Sequence, residues 1–270
     1  MNESAAGPAG AARWVLVLGV SSGFGAATAR AFAREGFDVL GVHLDRKQGL
    51  EAVEALLGEI EAMGRKAHFI NKNAADDTAR EEMIDEFARV LDGAQIHVVL
   101  HTLAFGSLVY YVPPTSQDKA ASRKQIEMTL DVMANSLVYW VQSLLQRELL
   151  AEGGRVYAMT SSGSHTAWES YGPVSAAKAA LEAHIRQLCM ELAPRRITIN
   201  AVLAGVTETP ALAKIPGHDR LKAKAVSKNP HHRLTRPEDV ASCLVELSRP
   251  GTYWMTGNVI RVDGGEDFCA

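Results

Sequence analysis

Tyr171 and Lys178 stand seven residues apart in Tyr171-Gly172-Pro173-Val174-Ser175-Ala176-Ala177-Lys178. Seven helical steps turn through about 700°, so the two side chains would share one helix face. Pro173 suits the first turn of that helix, which leaves Tyr171 just before it and Lys178 one to two turns in. An ammonium near a phenol or a sugar hydroxyl favours the negatively charged form of its neighbour and orients it by hydrogen bonds. Such a pair can give a proton, or a hydrogen bond, to an oxygen that is gaining charge. In a random sequence the same two residues would be a surface phenol and a solvated amine, so the context has to carry the reading.

A second chemistry lies in Gly19-Val20-Ser21-Ser22-Gly23-Phe24-Gly25. Glycines let the backbone turn tightly and meet a pyrophosphate with no Cβ in the way. A helix starting at this loop would aim free N–H groups and its positive dipole end at the phosphates.

The elements that must position these groups alternate along the chain. Apolar runs of strand length fall at 14–18, 37–44, 67–70, 96–100, 155–159, 197–202 and 259–262. Between them lie helical patterns at 26–34, 78–91, 125–150, 173–192 and 237–247, and one in which Leu50, Val53, Leu56, Leu57 and Ile60 recur at helical spacing. Seven strands joined by six crossovers predict an α/β fold, a Rossmann-type, doubly wound, seven-stranded parallel sheet in a single domain. That domain is expected over residues 13–270, after a loose Ala- and Gly-rich tail at 1–12. Residues 211–232, rich in Lys and His and holding two of three local prolines (Pro210 is the third), make a poor regular element and are expected to form a lid over a site.

Composition excludes several classes. The 270 residues are 47% hydrophobic and 22% charged, an ordinary globular mixture. A net charge of −3 argues against a nucleic-acid surface, which needs clustered excess Lys and Arg. No apolar run approaches the ~18 residues of a membrane span. Cys189, Cys243 and Cys269 share no metal-type spacing and read as incidental thiols of a cytoplasmic protein, with no metal site.

The GxxxGxG spacing after the first strand resembles the short-chain dehydrogenase/reductase superfamily, and the likeness runs over residues 15–265. It implies a nicotinamide dinucleotide at Gly19, Ser21, Ser22, Gly23, Phe24 and Gly25. His43 stands where many NAD-dependent relatives carry a ribose-binding acid, and Arg46 and Lys47 follow; this favours the 2′-phosphate of NADPH. Asp45 can still meet a ribose, so NADH stays open. The resemblance further assigns Asn73 and Ala74 to adenine, Thr102, Leu103 and Ala104 to the cofactor, and Gly205, Val206 and Thr209 of Ala204-Gly205-Val206-Thr207-Glu208-Thr209 to the nicotinamide amide and phosphates.

Within the superfamily the usual Tyr-x-x-x-Lys is missing, because Val174 occupies the tyrosine position. The six-residue gap between Tyr171 and Lys178 is similar to that of enoyl-acyl-carrier-protein reductases. His101-Thr102-Leu103-Ala104-Phe105-Gly106 resembles their His-Ser-Ile-Gly-Phe segment, with Phe105 expected either to wall an acyl pocket or to join the core. Met133 replaces a proton-relay asparagine of ketoreductases, and a thioether cannot hold the relay water by hydrogen bonding. Ser161, in Thr160-Ser161-Ser162, keeps the ketoreductase serine, as in an NADPH-dependent branch with Tyr-x6-Lys. The resemblance thus implies reduction of a trans-2-enoyl thioester, carried by acyl carrier protein or coenzyme A, with Tyr171 at the thioester oxygen, Lys178 at the ribose and Ser161 supporting substrate. Asp263-Gly264-Gly265 resembles the family's end, whose last strand often builds a homotetramer. Arg220, Lys222 and Lys224 read as a solvated basic face able to meet an acidic carrier. The rival readings are a carbonyl reductase or alcohol dehydrogenase on the same fold, and a non-catalytic NADPH sensor.

Overall fold

Strand β1 (Arg13–Leu18) is buried from Trp14 onward. Trp14, Leu16 and Leu18 pack into one apolar cluster while Val15 and Val17 pack into another. Strand side chains alternate between faces, so a strand apolar at every position needs cover on both sides. The computed structural model of the chain describes residues 12–115 and 119–269, and supplies that cover. The tail expected at 1–12 lies outside the described residues except for Ala12.

The order is β1, α1 (Gly23–Arg34), β2 (Phe37–His43), α2 (Lys47–Ala62), β3 (Ala67–Asn71), α3 (Asp77–Leu91), β4 (Ile96–His101), α4 (Arg123–Leu130), α5 (Ser136–Gln146), β5 (Leu150–Thr160), α6 (Gly172–Leu192), β6 (Thr198–Ala204), α7 (His218–Lys228), α8 (Pro237–Leu247) and β7 (Val259–Val262). The strands form one parallel seven-stranded sheet in the order β3-β2-β1-β4-β5-β6-β7. Phe87 of α3, Trp140 of α5 and Leu181 of α6 cover the face that Trp14 shares. Phe32 of α1, Leu56 of α2 and Val240 of α8 cover the other. This is the doubly wound Rossmann-type domain expected from the alternating pattern.

The chain leaves β1 toward β2 on one side, and returns to β4 on the other, so the strand order reverses between β1 and β4. The loops leaving two such strands part, and the crevice beyond their carboxyl ends is where ligands bind in open α/β sheets. Here the two loops are tied at the root, where Thr102 N–H donates to the Leu18 carbonyl at 2.9 Å.

Two expectations change. The helix expected over 125–150 is divided: α4 is followed by a π-helical turn at Asp131–Asn135, then α5, and the chain reverses at Glu148 (φ 55°) before Leu150 enters β5. Leu149 and Leu150 fit a helical pattern, yet Ile96 N–H donates to the Leu149 carbonyl and draws this apolar pair to the sheet. Residues 211–232 are more regular than expected. They hold a 3-10 turn at Leu212–Lys214 and the eleven-residue α7, because Pro216 and Pro230 fall outside the helix and Gly217 (φ 72°) caps its start.

Trp140 connects this packing to the site. Its indole N–H donates to the Ala74 carbonyl at 2.8 Å while the ring is fully buried. Trp140→Phe keeps the ring but leaves that carbonyl unpaired, and is expected to cost about 1–3 kcal/mol of stability. Urea unfolding checks this as a lower midpoint at unchanged slope.

Candidate active site

The glycine loop leaves β1 through backbone that other residues rarely adopt. Gly19 has φ 97° and Gly23 φ 51°. A Cβ on Gly25 would lie 2.0 Å from the Gly19 carbonyl oxygen, so the loop closes on itself only with glycine there. Ser22 precedes α1 and makes no side-chain cap, which leaves the helix's first N–H groups for another acceptor. Such a cradle fits the phosphates of a dinucleotide. Thr209 packs its methyl against Gly23, about where a Cβ would stand 3.1 Å away, and Thr209 Oγ1 accepts from Leu212 N–H at 3.1 Å. The glycine loop and the loop after β6 therefore meet.

Around this cradle the expected contacts divide. His43 is 6% exposed and its Nδ1 lies 3.0 Å from Asp45 Oδ2, so the ring is turned inward rather than toward a ribose edge. His43 lies at the end of a strand buried along its whole length, and the first half-exposed polar residue beyond it is Asp45. Asp45 is fixed through its backbone: its N–H donates to Asn71 Oδ1 and its carbonyl accepts from Asn71 Nδ2. Arg46 and Lys47 are exposed at the start of α2. Asn73 turns its carboxamide oxygen to Ala75 N–H, closing the turn after β3, and Ala74 is buried beside it.

Val206 needs a correction. Its N–H donates to both carboxylate oxygens of Glu266 (3.1 and 3.2 Å) and its carbonyl accepts from Thr235 N–H. Neither group is turned to a ligand. The next residue, Thr207, bridges Thr235 in parallel register. In such a bridge the central residue points its own N–H and carbonyl away from the partner strand, so Thr207 keeps its backbone groups out of this pairing whereas Val206 does not. Burial pushes the Glu266 carboxyl up, and the Val206 N–H pulls it partly back. The sequence signal missed here was Glu266 itself, an acid placed directly after Asp263-Gly264-Gly265.

Beyond the carboxyl ends of β4, β5 and β6 lies a cavity of about 340 Å³. Leu108, Met133 and Val174 give it an apolar wall, Ser161 and Tyr171 a polar one, and Leu221 of α7 borders it. Phe105 is not part of that lining; it is 63% exposed, and belongs neither to the pocket wall nor to the core. Its neighbours Ala104 and Gly106 line the cavity instead. The π-helical turn carries Met133 into the cavity wall, where it packs with Val174.

Tyr171 is the residue that precedes α6, in the place expected from Pro173. Its ring lies over Gly163, where a Cβ would come within 2.6 Å of it. Burial raises the phenol above its usual range, and the neighbouring Ser161 hydroxyl lowers it in part. The two hydroxyls are near without being aligned: Ser161 Oγ is buried and has no hydrogen-bond partner among the described residues. An unpaired buried hydroxyl beside a phenol is a ready donor set for a substrate oxygen.

Lys178 reaches the end of β5 from α6. It is 6% exposed and its Nζ donates to the Met159 carbonyl at 2.6 Å. Burial pushes the ammonium down to about 8, while Glu182 one turn further on raises it. An ammonium this close to neutral pH can hold a sugar hydroxyl and exchange a proton with it.

A glycine-closed phosphate cradle at the strand reversal, opening to a pocket with a phenol, a free serine hydroxyl and a buried lysine, defines a nicotinamide-dependent oxidoreductase of Rossmann type. The comparisons agree. Residues 19–266 match the family model described as enoyl-(acyl carrier protein) reductase, and the chain belongs to that family of short-chain dehydrogenase/reductases. Among its relatives, cis-4-hydroxycyclohexanecarboxylate dehydrogenase of Sinomonas cyclohexanicum is 28% identical (96% of this chain, 98% of that protein). The 1-cyclohexenylcarbonyl-CoA reductase of Streptomyces collinus is 24% identical (94% and 87%). The enoyl-[acyl-carrier-protein] reductase (NADH) of Aquifex aeolicus VF5 superposes with a TM-score of 0.84 at 21% identity (96% and 98%), a likeness of fold. Among the described residues no helix is long and apolar enough to cross a membrane, and no cluster of side chains fits a metal ion.

Proposed function

We propose that this oxidoreductase saturates the C2–C3 bond of a trans-2-enoyl thioester, using NADPH. The observation that carries the reading is the phenol of Tyr171, the one phenol lining the cavity among the described residues, set beside Ser161 with an apolar wall of Leu108, Met133 and Val174. A bound dihydronicotinamide supplies the hydride, which C3 of the enoyl group accepts. Charge then gathers on the thioester oxygen, where Tyr171 and Ser161 are placed to donate hydrogen bonds. The resulting enolate takes a proton at C2, from Tyr171 or water, which completes the reduction. Lys178 orients the cofactor's ribose and supports the phenol. Gly19, Gly23 and Gly25 hold the phosphates, with Thr209, and Thr207 meets the carboxamide.

The 1-cyclohexenylcarbonyl-CoA reductase supports this reading, since its name describes a thioester whose double bond adjoins the carbonyl. Lys224 and Lys228 of α7 border the cavity, which suits the phosphates of a carrier arm, whether from acyl carrier protein or coenzyme A. Lys222 and Arg220 are spent on Glu208, Asp219 and Glu169. A cytoplasmic homotetramer acting in fatty acid synthesis is the matching setting.

NADPH is favoured by the exposed cations Arg46 and Lys47, and opposed by Asp45. With Arg46 and Lys47 both changed to Ala, KM for NADPH is expected to rise about tenfold or more, as two charge-assisted phosphate contacts are lost, while KM for NADH moves little. Equal effects on both would remove Arg46 and Lys47 from recognition of the 2′-phosphate.

A second reading rests on Ser161. A serine hydroxyl beside a phenol also suits a ketone oxygen, and the dehydrogenase relative points the same way. Steady-state rates with crotonyl and acetoacetyl thioesters separate the two. The enoyl reading expects the crotonyl substrate to be consumed and the acetoacetyl one spared; the reverse order establishes a carbonyl reductase.

A further inference from the structure

Two bonds fix the backbone of Val206, and both come from outside its own loop. The Val206 carbonyl accepts from Thr235 N–H at 3.1 Å, just ahead of α8. A trans peptide holds its C=O and N–H on opposite sides, so Thr207 N–H is turned away from Thr235. On the other flank the Val206 N–H is taken by the Glu266 carboxylate. The Gly205 carbonyl of that same peptide, turned the opposite way, accepts from Thr207 Oγ1 at 2.9 Å. The peptides before and after Val206 are thus both set. Gly205, Val206, Thr207 and Glu266 all line the cavity.

Glu266 is itself held from behind. The turn that carries it closes on the buried Asp263 carboxylate, whose two oxygens accept from Gly265 N–H and Asp267 N–H at 2.9 Å each. Gly264 (φ 63°) and Gly265 (φ 86°) supply the left-handed backbone this closure needs. Asn229, at the end of α7, donates to the Asp263 carbonyl, and Asp267 is engaged by Arg261 and His165. Glu266 is 9% exposed, and a Cβ on Gly205 would come within 2.8 Å of its Oε2, so the carboxylate packs against the loop it bonds. We infer that Glu266 is a positioning residue for the nicotinamide: its carboxylate fixes the peptide ahead of Val206, as Thr235 fixes the one after it, and so presents Thr207 N–H to the carboxamide before the cofactor arrives. A donor set in place beforehand spares the ordering cost on binding. The carboxamide's place beside Thr207 rests on the reading under Proposed function, whereas the identity of the reduced substrate does not enter.

Two measurements test it without any assay of turnover. In the first, binding is compared for NADPH with 2′-phospho-ADP-ribose and for NADH with ADP-ribose, fragments that keep everything except the nicotinamide. Glu266→Ala removes a charge-assisted hydrogen bond and is expected to weaken the better-bound dinucleotide about tenfold while leaving its fragment unchanged. Glu266→Gln keeps an acceptor oxygen and is expected to stay within about threefold of the unmodified chain. Equal losses for dinucleotide and fragment, no loss for the dinucleotide, or a Glu266→Gln protein as weak as Glu266→Ala overturns the inference. An unmodified chain that holds the dinucleotide no tighter than the fragment sinks the reading of Thr207 and this inference with it. The second measurement uses the cofactor-free protein. Burial raises the Glu266 carboxyl, and the charges around it are Asp263 and Asp267 of its own turn and Lys228 of α7. The Val206 amide proton shift is expected to titrate with a midpoint above the ordinary glutamate range, and to lose that titration in Glu266→Gln, where Asp263 and Asp267 remain. A Val206 amide that does not titrate, or titrates alike in both proteins, contradicts the bond and the role built on it.

Discussion

Tyr171→Phe is expected to lower kcat by about 10²–10⁴-fold, the usual share of a positioned proton or hydrogen-bond donor. The ring would stay in place over Gly163, since the substitution removes only the hydroxyl. Dinucleotide affinity should change less than about threefold, because the proposed phosphate cradle is the loop after β1, two strands away from β5 in the sheet. The split between the two quantities is the informative part. A fall in affinity together with rate would mean that the phenol acts in cofactor binding, and an enzyme with full rate would remove Tyr171 from the chemistry. Rapid-mixing rates and fluorescence titration of reduced dinucleotide measure the two separately.

Gly25→Ala should act in the opposite way. Its new Cβ would meet the Gly19 carbonyl oxygen at 2.0 Å and the Val20 Cα at 3.1 Å, and both are backbone atoms that cannot swing aside. The loop must open to relieve the overlap, at about 2–3 kcal/mol for an overpacked site. If that distortion falls on the phosphate cradle, dinucleotide affinity drops about 30- to 100-fold. The core under the loop is unaffected, so the far-ultraviolet dichroism should match the unmodified chain. Unchanged affinity in a folded Gly25→Ala protein would place the phosphates elsewhere.

Much of this architecture was legible from periodicity. Strands such as β1 and β6, apolar at nearly every position, can exist only inside a covered parallel sheet, and the helices between them repeat at three and four. What failed was contextual. The division of 125–150 into α4, a π turn and α5 leaves the apolar spacing almost intact, so periodicity cannot reveal it. The helix α7 hid among prolines and lysines, since a short helix with one buried residue, Ala225, has little apolar signal.

The site divided along the same line. The glycine loop, and Tyr171 ahead of Pro173, were readable because backbone geometry demands those residue types. The partners of His43 and Val206 were not readable, because each depends on where a side chain or amide turns once tertiary partners are present: Asp45 for His43, and Glu266 and Thr235 for Val206. Phe105 carries no sequence mark of its exposure, whereas its neighbours Ala104 and Gly106 reach the cavity. Glu266 was invisible for a related reason. An acid four residues from the end of the chain reads as solvated until the fold brings Val206 N–H to it.

The fate of a labelled hydride tests the central claim most directly. The protein is incubated with a trans-2-enoyl thioester and NADPH carrying deuterium on the transferred position, and the product is examined by mass spectrometry and NMR. Conjugate reduction predicts a saturated thioester with deuterium at C3 and a solvent proton at C2. An unreacted enoyl thioester, alongside a ketone substrate that gains deuterium at its carbinol carbon, would contradict it.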